Sequence, residues 1–555
     1  MHPLTDRAVE VISAGLSSSL PLINQGTHQI FEAIRNPLGI ELPISDAQTT
    51  NSANEILQPD SVAEMCALIN DAAICLSETV GDIESRNKIL AGRNTVIEWL
   101  ADYLVTHPDE RISVSDRVQA TSKRTFPWNA VQPPARGLAM LYNFSPFQDT
   151  GATVASKRLR DFGTTVDVIA CSFLHRKKVD NTIEAIAEPY VASRYFLPMA
   201  PSWASWGPFR GFAVKATEFA SQKMENGANY EFLYSRAMWA PSIYAGALFK
   251  SRYPSVKWIA EFSDPLSLDV EGLPRGGSVP RDELSEFYFQ LVSEEYPELA
   301  YDSMTVFSLA EYLVYTQADE IYFTNENQMK TMLEQVPSQR LRERVQNRAI
   351  VSNHPTLPRS YYLHETSEYA VDNDVLNLGY FGEFYSSRSI TEVTAAMRTL
   401  PEALKQRVHL HVFTNYIPAS EGNQRPRGFS KKRYDELVNR AYEGVGASGI
   451  EDHVTFNPSL PYLKFLATTE KLDYLIVNDA RSGDHHSRNP YLPSKWSDYA
   501  GSSAKTWAFI EEGSILSGKP ADIKTPVGDV ASARTQLWDM ILRKFPDLTA
   551  KFEEE

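Results

Sequence analysis

A loop at residues 382–389 (GEFYSSRS) carries side chains suited to holding a phosphate group. It follows the apolar run NLGYFG and precedes a helical pattern, so it should end at a helix N-terminus, which favours anions. Ser389 and Glu392 have the spacing of a capping box, which would fix that helix start. Gly382 would let a ligand approach the backbone, and Arg388 would add a forked cationic contact. An ordinary turn with a surface arginine is the alternative.

A second polar loop, at residues 480–503, follows the apolar run LDYLIVND and contains the segment NPYLPSK before a short helical pattern. Lys495 and Asp498 are three residues apart, so they should share one helix face. The lysine could bind a diphosphate and the acid could bind ribose hydroxyls. A salt bridge on a solvated helix would give the same spacing.

Two acidic motifs are interpreted as chance matches to metal sites. Asp372 to Asp374 form a DxD sequence, but it stands before a predicted strand in an expected interdomain linker. Asp484 to His486 lack a third ligand at a suitable spacing. No metal site and no cofactor are predicted, and no Walker A loop, GxGxxG fingerprint or GxSxG elbow occurs.

The elements that must position these loops alternate between short apolar runs and helical patterns. The strands of a first sheet are expected in GLAMLYNF, TTVDVIA, YEFLYS, VKWIAEFS, ADEIYFTN and RAIVSN. Those of a second sheet are expected in NLGYFG, VHLHVFTN, HVTFN, LDYLIVND and KTWAFI. This alternation predicts an α/β protein with two Rossmann-like domains, at 137–350 and 375–520, facing each other across a cleft.

The two ends of the chain are expected to be helical. Residues 1–130 place apolar residues at helical spacing and should form an N-terminal extension, followed by a linker at 126–134 (FPWNAVQPP). Residues 521–555 contain a predicted helix at 528–545, which we expect to pack back across both domains.

Composition limits the classes of function. A chain of 555 residues with 43% hydrophobic residues can bury two or three cores. Its formal charge of −16 argues against broad nucleic-acid binding. Three cysteines without a CxxC pair fit a reducing compartment. With no signal peptide and no long apolar run, we expect a cytoplasmic location, with the inner face of the plasma membrane as a second location.

The ordered segments GYFGEFYSSR, HVTFN, LDYLIVND and NPYLPSKWSDYAGS resemble the C-terminal domain of family 4 glycosyltransferases. The segment LYNFSPFQDTGATVASKRLRDFG is similar to the first strand and glycine loop of the same family. The resemblance runs from about residue 137 to 520. It implies the two-domain glycosyltransferase-B fold, with a nucleotide-sugar donor held mainly by the C-terminal domain.

The resemblance also implies roles for particular residues. Arg388 and Lys495 match the two basic residues that hold the donor diphosphate. Asp498 matches the second of two acids near the donor ribose and sugar, whereas Pro490 stands in place of the first and Asn489 is its expected substitute. Glu383 stands where many members have a basic residue, which moves the expected role to Arg388.

On the N-terminal side, Gly151 matches the glycine loop beneath the donor phosphate. Asp264 matches the loop that faces the sugar, although a turn cap before Pro265 is the alternative. The catalytic set implied is therefore Arg388, Lys495 and Asp264, and the donor-binding set is Gly151, Gly382, Ser389, Asn489, Ser494 and Asp498.

The expected activity is transfer of a sugar from a nucleotide-sugar donor to a glycan or lipid-linked acceptor, in cell-surface glycan or glycolipid synthesis. The resemblance implies retention of configuration without a metal. Two alternatives stay open, a sugar-nucleotide epimerase of the same fold and a non-catalytic nucleotide-sugar-binding protein. The segment at 199–223 mixes tryptophans and phenylalanines with basic residues, which suggests peripheral contact with an anionic membrane. Packing between helices is the alternative there.

Overall fold

The computed structural model describes residues 3–18, 20–38, 59–299, 301–384, 388–415, 430–483 and 485–548. The chain begins with a helical domain. Its helices are α1 (Pro3–Leu16), α2 (Pro21–Leu38), α3 (Pro59–Thr79), α4 (Ile83–Thr106) and α5 (Arg111–Thr121).

Helices α2 and α4 cross at backbone contact, because each places a glycine at the crossing. A Cβ added at Gly92 would lie 2.8 Å from the Gly26 carbonyl oxygen, and one added at Gly26 would lie 2.9 Å from the Gly92 carbonyl oxygen. Phe126, Trp128 and Val131 are buried in this helical core. The segment expected to be a linker is thus packed, since its aromatic residues are part of the helical core.

The first α/β domain has a seven-stranded sheet in the order β3-β2-β1-β4-β5-β6-β7, with neighbouring strands parallel. Its strands are β1 (Gly137–Leu141), β2 (Val166–Cys171), β3 (Val191–Leu197), β4 (Phe232–Arg236), β5 (Lys257–Phe262), β6 (Glu320–Phe323) and β7 (Ala349–Val351). Its helices are α6 (Thr150–Phe162), α7 (Asn181–Ala187), α8 (Trp206–Glu225), α9 (Pro241–Arg252), α10 (Glu283–Ser293), α11 (Val306–Gln317), α12 (Glu326–Glu334) and α13 (Gln339–Arg348). Strand β3 was not predicted, because as a half-exposed edge strand it carries polar residues.

The second domain has a six-stranded parallel sheet in the order β10-β9-β8-β11-β12-β13. Its strands are β8 (Leu376–Phe381), β9 (Val408–Thr414), β10 (Val454–Pro458), β11 (Tyr474–Asn478), β12 (Lys505–Ile510) and β13 (Ile523–Pro526). Its helices are α14 (Arg359–His364), which precedes the sheet, α15 (Thr391–Arg398), α16 (Glu402–Lys405), α17 (Lys431–Gly444), α18 (Tyr462–Thr469), α19 (Ser494–Tyr499) and α20 (Val530–Lys544). Strand β13 extends this sheet beyond residue 520, where we expected it to end.

Both sheets change the direction of their strand order beside their first strand. In the first sheet the change lies between β1 and β4, and in the second it lies between β8 and β11. Ligands of doubly wound sheets bind at this switch point, beyond the carboxyl ends of the strands. The predicted pair of Rossmann-like domains with a helical N-terminal region is confirmed.

Helix α14, and not the C-terminal helix, links the second domain to the helical domain. Helix α14 packs on α18 of the second domain and on α5 of the helical domain. Helix α20, which we expected to reach back across both domains, packs on α15, β8 and β13. Its apolar residues Ala533, Leu537, Met540 and Ile541 complete the core of the second sheet, which explains this position.

We predict that Gly92→Ala lowers the thermal midpoint of the helical domain. Its new Cβ would meet two backbone atoms, the Gly26 oxygen and the Ile30 nitrogen at 3.0 Å, so the helices must separate. Overpacking of this kind costs roughly 1–3 kcal/mol. The control is Gly81→Ala, because nothing lies within 4 Å of a Cβ there. Circular dichroism on heating compares the two, and equal midpoints would show that the crossing tolerates a methyl group.

Candidate functional site

A cavity of about 510 Å³ lies between the two switch points. The first domain contributes the loop after β1, the start of α6 and Met238 after β4. The second domain contributes the loop after β8, the ends of β9 and β11, and the starts of α18 and α19. The cavity is therefore where two doubly wound domains would share a ligand.

Five of the predicted residues line this cavity, namely Gly382, Arg388, Ser494, Lys495 and Asp498. The remaining four, Gly151, Asp264, Ser389 and Asn489, are not among its lining residues.

Asp498 is the centre of a buried polar cluster. Lys157 Nζ donates to its Oδ1 atom at 2.5 Å, and the Tyr462 hydroxyl donates to the same oxygen at 2.6 Å. Lys495 Nζ lies 3.4 Å from its Oδ2 atom. The side chain of Lys157 is 1% exposed and that of Asp498 is 6% exposed. Because Lys157 belongs to the first domain and Asp498 to the second, this ion pair joins the two domains.

The cluster shifts the pKa values of Asp498 and Lys495. Burial alone would raise the pKa of Asp498, but Lys157 and Lys495 outweigh it and lower the pKa below its ordinary value. Burial lowers the pKa of Lys495, and Asp498 offsets part of that effect. The predicted role of Asp498 as a free acceptor for ribose hydroxyls does not fit this geometry, because the chain's own donors occupy its carboxylate.

Gly382 and Arg388 border the cavity after β8. Gly382 has a φ of 155°, a conformation that side chains rarely adopt, so this turn requires glycine. Residues 385–387 of the predicted phosphate loop lie outside the described residues. Among the cations that line the cavity, Arg388 forms no ion pair with any part of the chain that the structure describes. Its buried Nε atom also lacks a hydrogen-bond partner there.

The predicted capping box at Ser389 and Glu392 is wrong. Helix α15 begins at Thr391, with Ile390 at its N-cap. The Ser389 hydroxyl accepts from the Thr391 amide at 3.4 Å and shares a hydrogen bond with the Thr391 hydroxyl at 2.9 Å, so it does not reach the amide of residue 392. The Glu392 carboxylate instead accepts from Arg481 and from the Gly528 amide, each at 2.8 Å. Glu392 thus links α15 to the segment before α20.

Gly151 lies in the first turn of α6, where side chains of the first domain occupy the space beside its Cα. Its amide donates to the Asp149 carboxylate at 2.7 Å, which caps the helix. A Cβ at Gly151 would lie 2.5 Å from Met238 Sδ and 3.4 Å from Arg236 Nη1. Asp149 also pairs with Lys177. The helix start that was predicted to face a donor phosphate is therefore closed by an internal acid.

Asn489 holds its own loop in shape and does not reach the cavity. Its amide nitrogen donates to the Ala480 carbonyl at 2.9 Å and to Glu511 at 2.7 Å. Its amide oxygen accepts from the Tyr491 amide at 3.0 Å. The predicted contact of Asn489 with a sugar is incompatible with these bonds.

Asp264 is exposed at the end of β5, beside the second domain. Burial, and secondarily the charge of Asp264, raise the pKa of Tyr491, so the carboxylate lies within electrostatic range of that hydroxyl. Arg388 acts on the same hydroxyl in the opposite direction. The Tyr491 hydroxyl is buried and has no hydrogen-bond partner in the described structure. Asp264 and Arg388 thus both lie within electrostatic range of the Tyr491 side chain, which the sequence analysis did not select.

The first domain also caps a helix of the second. The Asp180 carboxylate accepts from the Tyr462 amide at 2.7 Å, and Thr182 Oγ1 accepts from the Leu463 amide at 3.1 Å. These amides open α18, whose own N-cap residue is a proline that supplies no capping bond. No sequence motif indicates this contact, because the capping residues lie far from α18 along the chain.

Lys157 was also missed, although α6 carries a signal for it. The helix reads TGATVASKRLRDF, and its residues from Gly151 to Leu159 are buried on every side. Small residues around a whole helix indicate burial on all faces. A lysine in such a helix requires a buried partner, which a second domain can provide.

The segment at 199–223 buries most of its aromatic residues. Trp206, Phe209 and Phe212 are buried in the core of the first domain, which favours the packing alternative. Trp203 is 42% exposed and packs on Trp239. No helix in the described ranges is both long and apolar enough to span a bilayer. Within those ranges no group of three or more metal-binding side chains occurs, and Asp484 lies outside them.

No protein-family model matches the chain, and neither does any curated protein. Solved structures align with it at low identity. Sucrose-phosphate synthase from Thermosynechococcus elongatus is 12% identical, with 76% of this chain and 99% of that chain covered and a TM-score of 0.42. An α,α-trehalose-phosphate synthase from Burkholderia xenovorans, in complex with glucose-6-phosphate, is 8% identical, with 76% and 96% covered and a TM-score of 0.43.

A UDP-N-acetylglucosamine 2-epimerase is 6% identical, with 76% of this chain and 90% of that chain covered and a TM-score of 0.40. At this level of similarity the alignments assign neither a family nor an activity to this chain. Membership of glycosyltransferase family 4 stays a prediction.

We predict that Asp479, directly after β11, makes the stability of the fold depend on pH. Burial raises its pKa to about 6 from 3.8, although Ser514 and the Glu511 amide donate to it. The folded protein therefore keeps a proton that the unfolded chain loses, so stability should fall as pH rises through this interval. The total loss is at most about 3 kcal/mol.

Asp479→Asn should remove this slope, because the amide does not titrate, and it should keep the fold, because the amide oxygen can accept the same two bonds. Thermal midpoints measured across the interval test it. Asp374→Asn, at an exposed acid, is the control and should keep the wild-type slope. An unchanged slope in Asp479→Asn would show that another group titrates there.

Proposed function

We propose that this protein is a glycosyltransferase that uses a nucleotide-diphosphate sugar as donor and binds it in the cavity between its two sheets. The observation that carries the proposal is the convergence of Arg388 and Lys495 on that cavity, at the switch point of the second domain. Arg388 lies in the loop after β8 and Lys495 in the first turn of α19, which follows β11 of the same sheet, and doubly wound domains present charge to a phosphate at such positions.

The chemistry follows from the position of these charges. As the bond between sugar and diphosphate breaks, negative charge develops on the leaving phosphate. Cations already fixed in a partly buried cavity stabilise that charge with little reorganisation. Arg388 is suited to this task because its guanidinium forms no ion pair with a described acid, whereas Lys495 shares Asp498 with Lys157.

The resemblance to family 4 supports the finer part of the proposal. It favours retention of configuration by front-face attack, in which the leaving phosphate helps to deprotonate the acceptor, so no side chain serves as nucleophile. It also favours a metal-independent reaction with a glycan or lipid-linked acceptor. Asp264 is proposed to act on the sugar side, near Tyr491, once the domains have adjusted around a donor.

We expect Arg388→Ala to lower the transfer rate at least tenfold. A charge-assisted contact is worth roughly 1.5–3 kcal/mol, and one that strengthens as the diphosphate leaves lowers turnover more than donor affinity. Arg388→Lys should restore part of the rate, since it keeps the charge but loses the fork. Arg440→Ala, at an exposed arginine of α17, is the matched control and should leave the rate unchanged.

The assay follows incubation with labelled UDP- and GDP-sugars and candidate acceptors, with and without a chelator. Release of nucleoside diphosphate with a glycosylated acceptor supports transfer. An isomerised donor without acceptor dependence would indicate an epimerase, and binding without turnover would indicate a non-catalytic protein. Loss of activity with the chelator would contradict the metal-independent mechanism.

A further inference from the structure

Acids of the chain itself neutralise the lysines that line the cavity. Lys177 pairs with Asp149, and both Lys157 and Lys495 pair with Asp498. All five of these side chains line the cavity. An anion that enters this space must therefore compete with an internal carboxylate for each lysine.

The contacts around Asp498 are those that an anionic oxygen would receive from the protein. Its carboxylate accepts from one ammonium and one phenol at 2.5 and 2.6 Å, with a second ammonium at 3.4 Å. These three donors come from α6, α18 and α19, on both sides of the cavity. The cluster is thus built around a negative charge, and Asp498 supplies that charge from within.

The balance of charge in the cluster is incomplete. Two ammonium groups face one carboxylate, so one positive charge is not compensated within the cluster. Lys495 makes the longer contact with Asp498, and its side chain is 34% exposed to the cavity. A diphosphate carries more charge and more acceptor oxygens than one carboxylate, so it can satisfy both lysines at once.

We propose that Asp498 is an internal competitor of the donor diphosphate, and that Lys157 is a diphosphate-binding residue contributed by the N-terminal domain. In the empty cavity Asp498 holds Lys157 and Lys495 together. When a diphosphate enters, both lysines transfer to its oxygens, Asp498 keeps the bond from the Tyr462 hydroxyl, and the ligand takes over the link between the domains. The loss of both cations from the Asp498 carboxylate is the cost that the ligand must offset. This inference rests on the proposed function, because it names a further ligand-binding residue of the same site.

The proposal has a thermodynamic signature. With a competitor present, the apparent affinity equals the intrinsic affinity multiplied by the fraction of molecules in which the lysines are free. Asp498→Asn keeps the shape and one acceptor oxygen but removes the charge, so that fraction should increase. We expect calorimetric titration with inorganic pyrophosphate, at fixed pH and ionic strength, to show at least tenfold tighter binding to Asp498→Asn than to the wild-type protein.

Glu383→Gln is the matched control for this gain. Glu383 also lines the cavity, but the bond described for its side chain comes from the Asn415 amide at 3.1 Å and not from a lysine. It reports the general effect of removing one negative charge from the cavity wall. A gain in Asp498→Asn no larger than that in Glu383→Gln would overturn the role of Asp498 as a competitor.

A second pair of variants tests Lys157 and does not depend on the folding of Asp498→Asn. Lys157→Met should weaken pyrophosphate binding at least tenfold, because a cation is lost from the site. Lys177→Met, at a lysine held by a different acid, should weaken it less. Equal losses in the two variants would overturn the assignment of Lys157.

These titrations separate the inference from the proposed function. If the predicted pattern of pyrophosphate affinities holds while no sugar is transferred, the anion site stands and the glycosyltransferase proposal fails. If sugar is transferred while Asp498→Asn and Lys157→Met bind pyrophosphate as the wild type does, the proposed function stands and this inference fails.

Discussion

The buried charge of Asp498 is the constraint on which the arrangement of the two domains depends. A carboxylate removed from water must have close cationic partners, since an unpaired buried charge costs several kcal/mol. Its partners are Lys157 on α6 and Lys495 on α19, so the two helices must stay within reach of each other. Helices α6 and α19, which carry these lysines, and the loops beside them line the cavity. One ion cluster thus sets both the distance between the domains and the charge that a ligand meets.

Strand order explains why these residues meet at all. In both sheets the strand order reverses beside the first strand. The loops after β1 and β8 therefore leave a crevice at the carboxyl ends of the strands. Those loops lead into α6 and α15, and the cavity is also lined by Met238, which follows β4, and by the end of β11. Charged residues, glycines and the first turns of helices therefore meet at the switch point of each domain, although they are far apart along the chain.

The alternation of apolar runs and helical patterns predicted eleven of the thirteen described strands, and eight of those eleven are buried or mostly buried. Loop position was enough to place Gly382, Arg388 and Lys495 at the cavity. What failed were inferences about hydrogen-bond partners. Asn489 and Glu392 have the right residue types and spacing, yet partners distant in sequence, Glu511 and Arg481, determine what they do. Spacing along a chain predicts faces of helices but not contacts between domains.

The cap that Asp180 places on α18 has a consequence for the order in which the chain can fold. The amides of Tyr462 and Leu463 find their acceptors only on a segment made nearly three hundred residues earlier. During synthesis the N-terminal domain emerges first and can fold as a unit. The second sheet can then assemble against a surface that already presents the acceptors for its helix. The first domain thus acts as a template for the last, and a C-terminal domain made alone would begin α18 with its first amides open to water.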